Sequence, residues 1–306
     1  MKKSFPGRVE IQEVVLRDGI QNERKIVPTQ AKIDLIERLI SCGVRRIEVS
    51  SFVNPRLVPQ MADAEDLWSG IARHEETLFS ALILSRGGLE RAARCGVRRV
   101  GIFVSASETH SMRNSRRTVR DALAEAVQLI AEAKADGISV RAGVMNAFGC
   151  AYEGLVPEEK VAEICRALCG AGPDELCLAD TSGLADPRRI RAMIPRIRKI
   201  KKRQGAGTDP ELSLHLHNTR DRGLANLFAA IEEGVVLFDT SLGGLGGCPF
   251  IEGARGNIAT EDTVSMLHDM GIATGIDLDR LIQVSLDFEA LLGKPFPAMV
   301  PHLGRC

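Results

Sequence analysis

Eight short apolar runs, each followed by a polar or glycine-rich loop and an amphipathic stretch, predict an α/β protein. The expected architecture is a closed parallel (β/α)8 barrel with helices outside and one extra C-terminal helix. Two further observations favour a barrel over an open doubly wound sheet. The run 78–84 is almost wholly apolar, as a strand covered on both faces should be. The turn after the first run reads Arg17-Asp18-Gly19-Ile20-Gln21-Asn22, not the Gly-x-Gly-x-x-Gly of an open nucleotide-binding sheet.

Taken in order, residues 9–16 read as the first strand. A helix follows over 28–42, with Ile33, Ile36, Leu39 and Ile40 as its apolar stripe, and Gly43 stops it. Residues 46–50 form the second strand and 62–72 a helix. The third strand is 78–84. A short helix over 89–95 ends at Gly96, before strand four at 98–104. The long helix 118–136 stops at Gly137, and 139–145 is strand five. Pro157 sits where a first helical turn tolerates proline, so a helix runs from there to about 171. Strand six is 175–179. Asp186-Pro187 supplies an N-cap and first-turn pair for a helix to about 203. Strand seven is 211–217, helix 224–233 stops at Gly234, and strand eight is 235–241. Helix eight is 260–270, and 277–292 is the helix beyond the count.

The chain has 306 residues and no linker-like stretch, so it reads as one domain, 1–306, with a core of about 9–292. The tail 293–306 carries three prolines and is expected to wrap the outside or hang free. Lys plus Arg and Asp plus Glu are both 40, so nothing global points to nucleic acid or an acidic membrane. No apolar run reaches the length of a membrane span. Residues 1–7 lack the apolar core of a secretory signal. The eight cysteines show no framework spacing, so a cytoplasmic protein with free thiols is expected, Cys306 being exposed and reactive. Of two basic clusters, 188–203 reads as a solvated helix face, and 113–120 leaves a phosphate contact open.

A barrel places chemistry at the carboxyl ends of its strands. There stand Arg17, Asp18 and Gln21 after strand one, and Glu48, Ser50 and Ser51 at the end of strand two. Asn146, Cys150, Tyr152 and Glu153 follow strand five, and Asp180 and Thr181 follow strand six. His215, His217 and Asn218 end strand seven, and Asn257 and Glu261 lie beyond strand eight. Side chains two apart on a strand share a face, so His215 and His217 point one way and Leu214 and Leu216 the other. Spacing alone does not choose between a metal grip and two unrelated histidines; the one-sided collection of acids, amides and imidazoles favours the grip. Asp18 would add an anionic oxygen and Asn257 a neutral one. Such a mixed set with open water positions suits octahedral Mg²⁺ or Mn²⁺ better than a closed tetrahedral zinc site.

The loop Gly243-Gly244-Leu245-Gly246-Gly247-Cys248 has four glycines in five residues before a cysteine. Its backbone bends freely and lets a ligand come close. The plain alternative is a surface turn ending in a small apolar filler. Its place after the last strand, with Pro249 on its far side, supports a lid whose thiol does acid–base work.

The run from Arg17 to Glu23, the His215/His217 pair, and the stretch from Gly243 through Asn257 to Glu261 resemble the 3-hydroxy-3-methylglutaryl-CoA lyases, part of a metal-dependent lyase and synthase superfamily of TIM barrels. The resemblance covers 9 to about 292; the Arg-Asp opening and His-x-His pair are superfamily-wide, the glycine loop ending in Cys248-Pro249 narrower. It implies that Asp18, His215, His217 and Asn257 bind the divalent cation, Mg²⁺ or Mn²⁺. Arg17 would steady the thioester oxygen as it becomes an enolate. Cys248 would act in proton transfer, with Glu48 and Asp180 beside the reacting centre, and Gln21 and Ser51 touching substrate or Arg17. The implied reaction is retro-Claisen cleavage of a 3-hydroxyacyl-CoA, 3-hydroxy-3-methylglutaryl-CoA to acetyl-CoA and acetoacetate, in a homodimer or higher homo-oligomer. After His217 the better-known lyases carry Asp-Thr-Tyr-Gly, whereas this chain has Asn218-Thr219-Arg220-Asp221. The change beside a metal ligand makes a related substrate such as citramalyl-CoA the first alternative. A condensing synthase of the same superfamily, usually extended by a C-terminal regulatory segment, is the second, and a barrel without catalysis the third.

Overall fold

Strand follows strand around a circle until the last pairs with the first. The computed structural model describes residues 5–72, 74–201, 209–247 and 256–303. Its strands are β1 (Glu10–Glu13), β2 (Arg46–Ser51), β3 (Leu78–Ile83), β4 (Arg99–Ser105), β5 (Ser139–Met145), β6 (Glu175–Ala179), β7 (Glu211–His215) and β8 (Leu237–Thr240). Each is parallel to the next, and β8 closes the barrel against β1. The helices are α1 (Thr29–Ser41), α2 (Ala64–Gly70), α3 (Arg86–Arg94), α4 (Glu108–Ser115), α5 (Val119–Ala135), α6 (Glu158–Gly170), α7 (Pro187–Lys201), α8 (Gly223–Glu232), α9 (Thr260–Asp269), α10 (Leu278–Leu292) and α11 (Val300–Leu303). Among the described residues, no helix is long and apolar enough to cross a membrane.

Outward positions of the strands, such as Val100, Ile102 and Val104, pack with helix residues such as Leu129 and Ile130 in one continuous apolar layer. The interior is unusual for a barrel, where branched aliphatic layers dominate. Glu175 accepts from Arg46 Nη2 at 2.8 Å, from Arg99 and from Ser213 Oγ at 2.5 Å. Arg141 Nε lies 2.6 Å from Glu175 Oε1, the oxygen that also accepts from Ser213. Burial of these charges is tolerable because each meets an opposite one.

Beyond shifts of up to three residues at element ends, four features depart from expectation, each for a local reason. Strand one stops at Glu13, and Val15–Gly19 forms a wide helical turn in which Gly19 N–H reaches back to Val14 O at 3.1 Å. Its apolar Val15 and Leu16 are buried like strand residues, so hydropathy could not separate the two. Strand seven ends at His215, and His217 is held by a single antiparallel bridge to Asn257. Helix α4 was not expected. Its N-cap Ser107 accepts from His110 N–H at 3.1 Å, but it lacks a strong apolar stripe. It places Arg113 over the Tyr152 ring at 4.2 Å, while Arg117 pairs with Glu125 and Arg120 with Asp121. Three of the four arginines in the basic cluster thus have partners within the protein, and Arg120 remains exposed. The described part of the tail neither hangs free nor merely wraps: Phe296 is buried against Phe288, and Ala298 N–H donates to Gly243 O at 3.1 Å. The six cysteines described are free thiols; Cys248 and Cys306 lie outside the described residues.

Candidate metal centre

At the carboxyl mouth, Asp18, His215 and His217 turn one ligand atom each toward a common point. The two Nε2 atoms face each other at 3.0 Å, and each lies 3.9 Å from Asp18 Oδ2. Three elements produce this convergence. Alternation on β7 turns His215 inward while Leu214 and Leu216 are wholly buried on the other side. The chain from 256 to 258 runs beside 216 to 218, with Ile258 N–H donating to Leu216 O at 3.1 Å, and this brings Asn257 next to His217. The wide turn after β1 swings Asp18 over the mouth, a frequent use of such turns at functional sites.

The surroundings hold each donor in the state a cation needs. Asp239 Oδ2 accepts from His215 Nδ1 at 2.9 Å, which leaves the Nε2 lone pair aimed at the common point. Asp239 is itself held by Arg141 Nη2, 2.8 Å from both its oxygens. Burial, and then the neighbouring His215, brings His217 down to about 4, so its imidazole is neutral at ordinary pH. Burial alone would raise the Asp18 carboxyl, but the charge of Arg17 and then the two imidazoles outweigh it and hold Asp18 below the usual carboxylate range. Asn257 Nδ2 donates to Asp18 Oδ2 at 2.7 Å, and Asn257 Oδ1 is buried with no hydrogen-bond partner. Two imidazole nitrogens, one carboxylate and one orphaned amide oxygen together fit a divalent cation.

Around this set lie the other expected residues. Arg17 Nε donates to Glu48 Oε2 at 2.5 Å, and its Nη1 to Asp18 Oδ1 at 2.7 Å, so the guanidinium is fixed beside the metal position. Asp180 Oδ1 accepts from the N–H groups of Leu184 and Ala185, while Oδ2 is buried without a partner. Burial raises this carboxyl to about 7. Ser51 is buried with its hydroxyl unpartnered, and Gln21 is half-buried on the turn carrying Asp18. The glycine loop closes one side: a side chain on Gly246 would lie 2.6 Å from Asn257 Nδ2 and 3.1 Å from Asp18 Oδ2, so only glycine fits. Cys248, the expected acid–base thiol, lies outside the described residues.

Two residues escaped the sequence reading. Asp239 and Arg141 sit inside strands, not after them, so a search of strand ends passes over both. The available signal was a charged residue at an inward position of a strand covered on both faces.

A family model described as HMGL-like matches residues 8–287. The chain is 40% identical over 306 residues to (R)-citramalyl-CoA lyase of Chloroflexus aurantiacus, covering 97% of this chain and 95% of that protein. It is 38% identical over 294 residues to hydroxymethylglutaryl-CoA lyase YngG of Bacillus subtilis, covering 96% of each. Among solved structures, an HMG-CoA lyase from Acinetobacter baumannii in complex with coenzyme A and 3-methylmalate is similar at a TM-score of 0.91 and 39% identity, over 99% of this chain and 97% of that one.

Proposed function

The chain belongs to the HMGL-like family of TIM-barrel lyases, and from that premise we propose that it cleaves 3-hydroxy-3-methylglutaryl-CoA to acetyl-CoA and acetoacetate with a divalent cation. It is a carbon–carbon lyase. The observation that carries the reading is the convergence of Asp18, His215 and His217 beside the unpartnered Asn257 oxygen. These four residues hold the cation, Mg²⁺ or Mn²⁺ by the hardness of the donor set. When bound, the cation supplies Lewis acidity toward a hydroxyl or carbonyl oxygen.

The chain's own groups do the rest. Asp180, its carboxyl poised near neutrality and one oxygen free, takes the proton of the tertiary hydroxyl. The hydroxyl carbon becomes a ketone as its bond to the α-carbon breaks, and the electron pair moves into the thioester enolate. Arg17, pinned by Glu48 and Asp18, presents a fixed charge to that enolate oxygen. Cys248 delivers the proton that converts the enolate carbon to a methyl group. Gln21 and Ser51 contact the substrate. The protein works in the cytoplasm as a homodimer or larger homo-oligomer.

The test is a panel of 3-hydroxyacyl-CoA thioesters with Mg²⁺ or Mn²⁺, products read by mass. Acetyl-CoA and acetoacetate are expected, and their absence with every cation would sink the reading. Preferential cleavage of citramalyl-CoA would instead support the second reading, which the Chloroflexus relative and the Asn218-Thr219-Arg220 departure favour.

A further inference from the structure

The barrel mouth has two unlike halves. One carries His215, His217, Asp239, Asp18, Arg17 and Glu48. The other, from β3 to β6, carries the apolar Leu82, Phe103, Met145 and Ala179, with the polar Ser105 and Asp180 following at the ends of β4 and β6. The inward direction of the apolar residues follows from the ladder. Arg99, Arg141 and Glu175 meet inside the barrel, and Phe103, Met145 and Ala179 each stand four residues further along the same strands.

Phe103 pairs across the ladder with Gly143. A side chain at 143 would begin 2.1 Å from the ring's Cε1, so the ring fills the volume that residue 143 leaves empty. On its other edge, Cε2 lies 3.3 Å from where a side chain on Gly101 would begin, and Glu48 Oε1 lies 3.6 Å from that same point. Beneath, the Arg141 guanidinium sits 5.4 Å from the ring centroid. The ring therefore lies over Arg141, which holds Asp239 and through it His215, and shares the space beside Gly101 with Glu48, which holds Arg17. It is half-buried, so apolar surface remains open to the mouth.

We infer that Phe103, laid over Gly143, is the wall against which the substituent on the substrate's hydroxyl-bearing carbon packs. This rests on the lyase reading and deepens it. The substrate class is a 3-hydroxyacyl-CoA whose hydroxyl carbon carries hydrogen or methyl, with longer alkyl groups excluded by the ring. A single methylene in an apolar pocket changes selectivity by about 10- to 200-fold, so the ring is large enough to decide.

The test compares wild type with Phe103→Ala and Phe103→Leu on CoA thioesters of 3-hydroxyglutarate bearing methyl, ethyl or propyl at the hydroxyl carbon. Wild-type kcat/KM falls steeply from methyl to propyl. Phe103→Ala raises the propyl-to-methyl ratio roughly tenfold or more, and Phe103→Leu falls between, serving alone should the alanine variant not fold. Calorimetric affinities for 3-alkylglutaryl-CoA thioesters, which lack the hydroxyl and cannot be cleaved, follow the same order. Variants that keep the wild-type ratios in rate and binding overturn the wall. A wild type that binds the analogues in this order but cleaves none of the hydroxy thioesters overturns the lyase reading instead.

Discussion

Asp239 decides which nitrogen of His215 faces the metal position. It accepts from Nδ1, so Nε2 carries the lone pair, and Arg141 keeps Asp239 in place. Asp239→Asn changes no volume but sets an amide N–H against either His215 or Arg141. Because groups behind a ligand tune it by about 10- to 100-fold, Mn²⁺ affinity by calorimetry should drop by that order with the circular dichroism spectrum retained. His215→Ala should remove measurable affinity altogether. Wild-type affinity in either variant would refute the assignment of His215 as a ligand. At this scale the sequence was readable where chemistry lies at a strand end: Asp18, His215 and His217 stand out by type and spacing. It was silent on Asp239 and Arg141 because pairing of residues 98 positions apart is decided by barrel closure, not by local pattern.

Among elements, the glycine loop is anchored more firmly than its composition suggests. Leu242 N–H donates to Glu13 Oε1 at 2.9 Å, and that same oxygen accepts from Val15 N–H, so one buried carboxyl ties the loop base to the turn bearing Asp18. Gly243 N–H donates to Glu261. The tail supplies the third restraint: Gly243 has φ +67°, and a side chain there would begin 2.1 Å from Phe296 Cδ2. Gly243→Ala therefore suffers a left-handed backbone penalty of about 1–2 kcal/mol, plus the clash. Phe296→Ala loses aromatic burial of about 3–5 kcal/mol. Since the second removes the clash of the first, the double variant should be less destabilised than the sum by roughly 1 kcal/mol or more, read by urea unfolding. Strict additivity would show that the ring does not press on this glycine. Strands β5 and β6 were legible to the residue because a run of inward and outward positions, both buried, ends at a polar loop. The tail was not, because its packing depends on one aromatic meeting one glycine more than fifty positions away.

For the molecule as a whole, a barrel holding so much buried charge should show its chemistry in its pH profile. Burial raises Glu13 to about 7 and Asp180 to about 7, and raises Glu261 to about 8. Each folded carboxyl thus keeps a proton that the unfolded chain has already released, and stability falls as pH rises from the ordinary carboxylate range through these values. Groups held below their ordinary values, Asp18 and His217 among them, act in the opposite sense at lower pH. Asp18 is held low by Arg17 against the effect of burial, and its contribution is lost as pH falls below the ordinary carboxylate value. His217, brought to about 4 by burial, makes stability rise with pH between about 4 and its ordinary value near 6.5. Above 6.5 the raised carboxyls lead, joined toward the alkaline end by the thiols of Cys165 and Cys177, which burial also raises and which act in the same sense. In the presence of a chelator, so that cation binding adds no pH dependence of its own, the melting temperature should decline from pH 6.5 to 8.5. Glu261→Gln tests the cause. Its amide oxygen still accepts from Gly243 N–H and its amide nitrogen donates toward Ser285, so it mimics the protonated acid. One group shifted across this window accounts for about 1–2 kcal/mol, and the variant should flatten the decline by that share. A wild-type melting temperature that holds level or climbs over this range would mean that the buried carboxyls are ionised in the folded barrel, and that Glu13 and Glu261 grip the loop base as full charges.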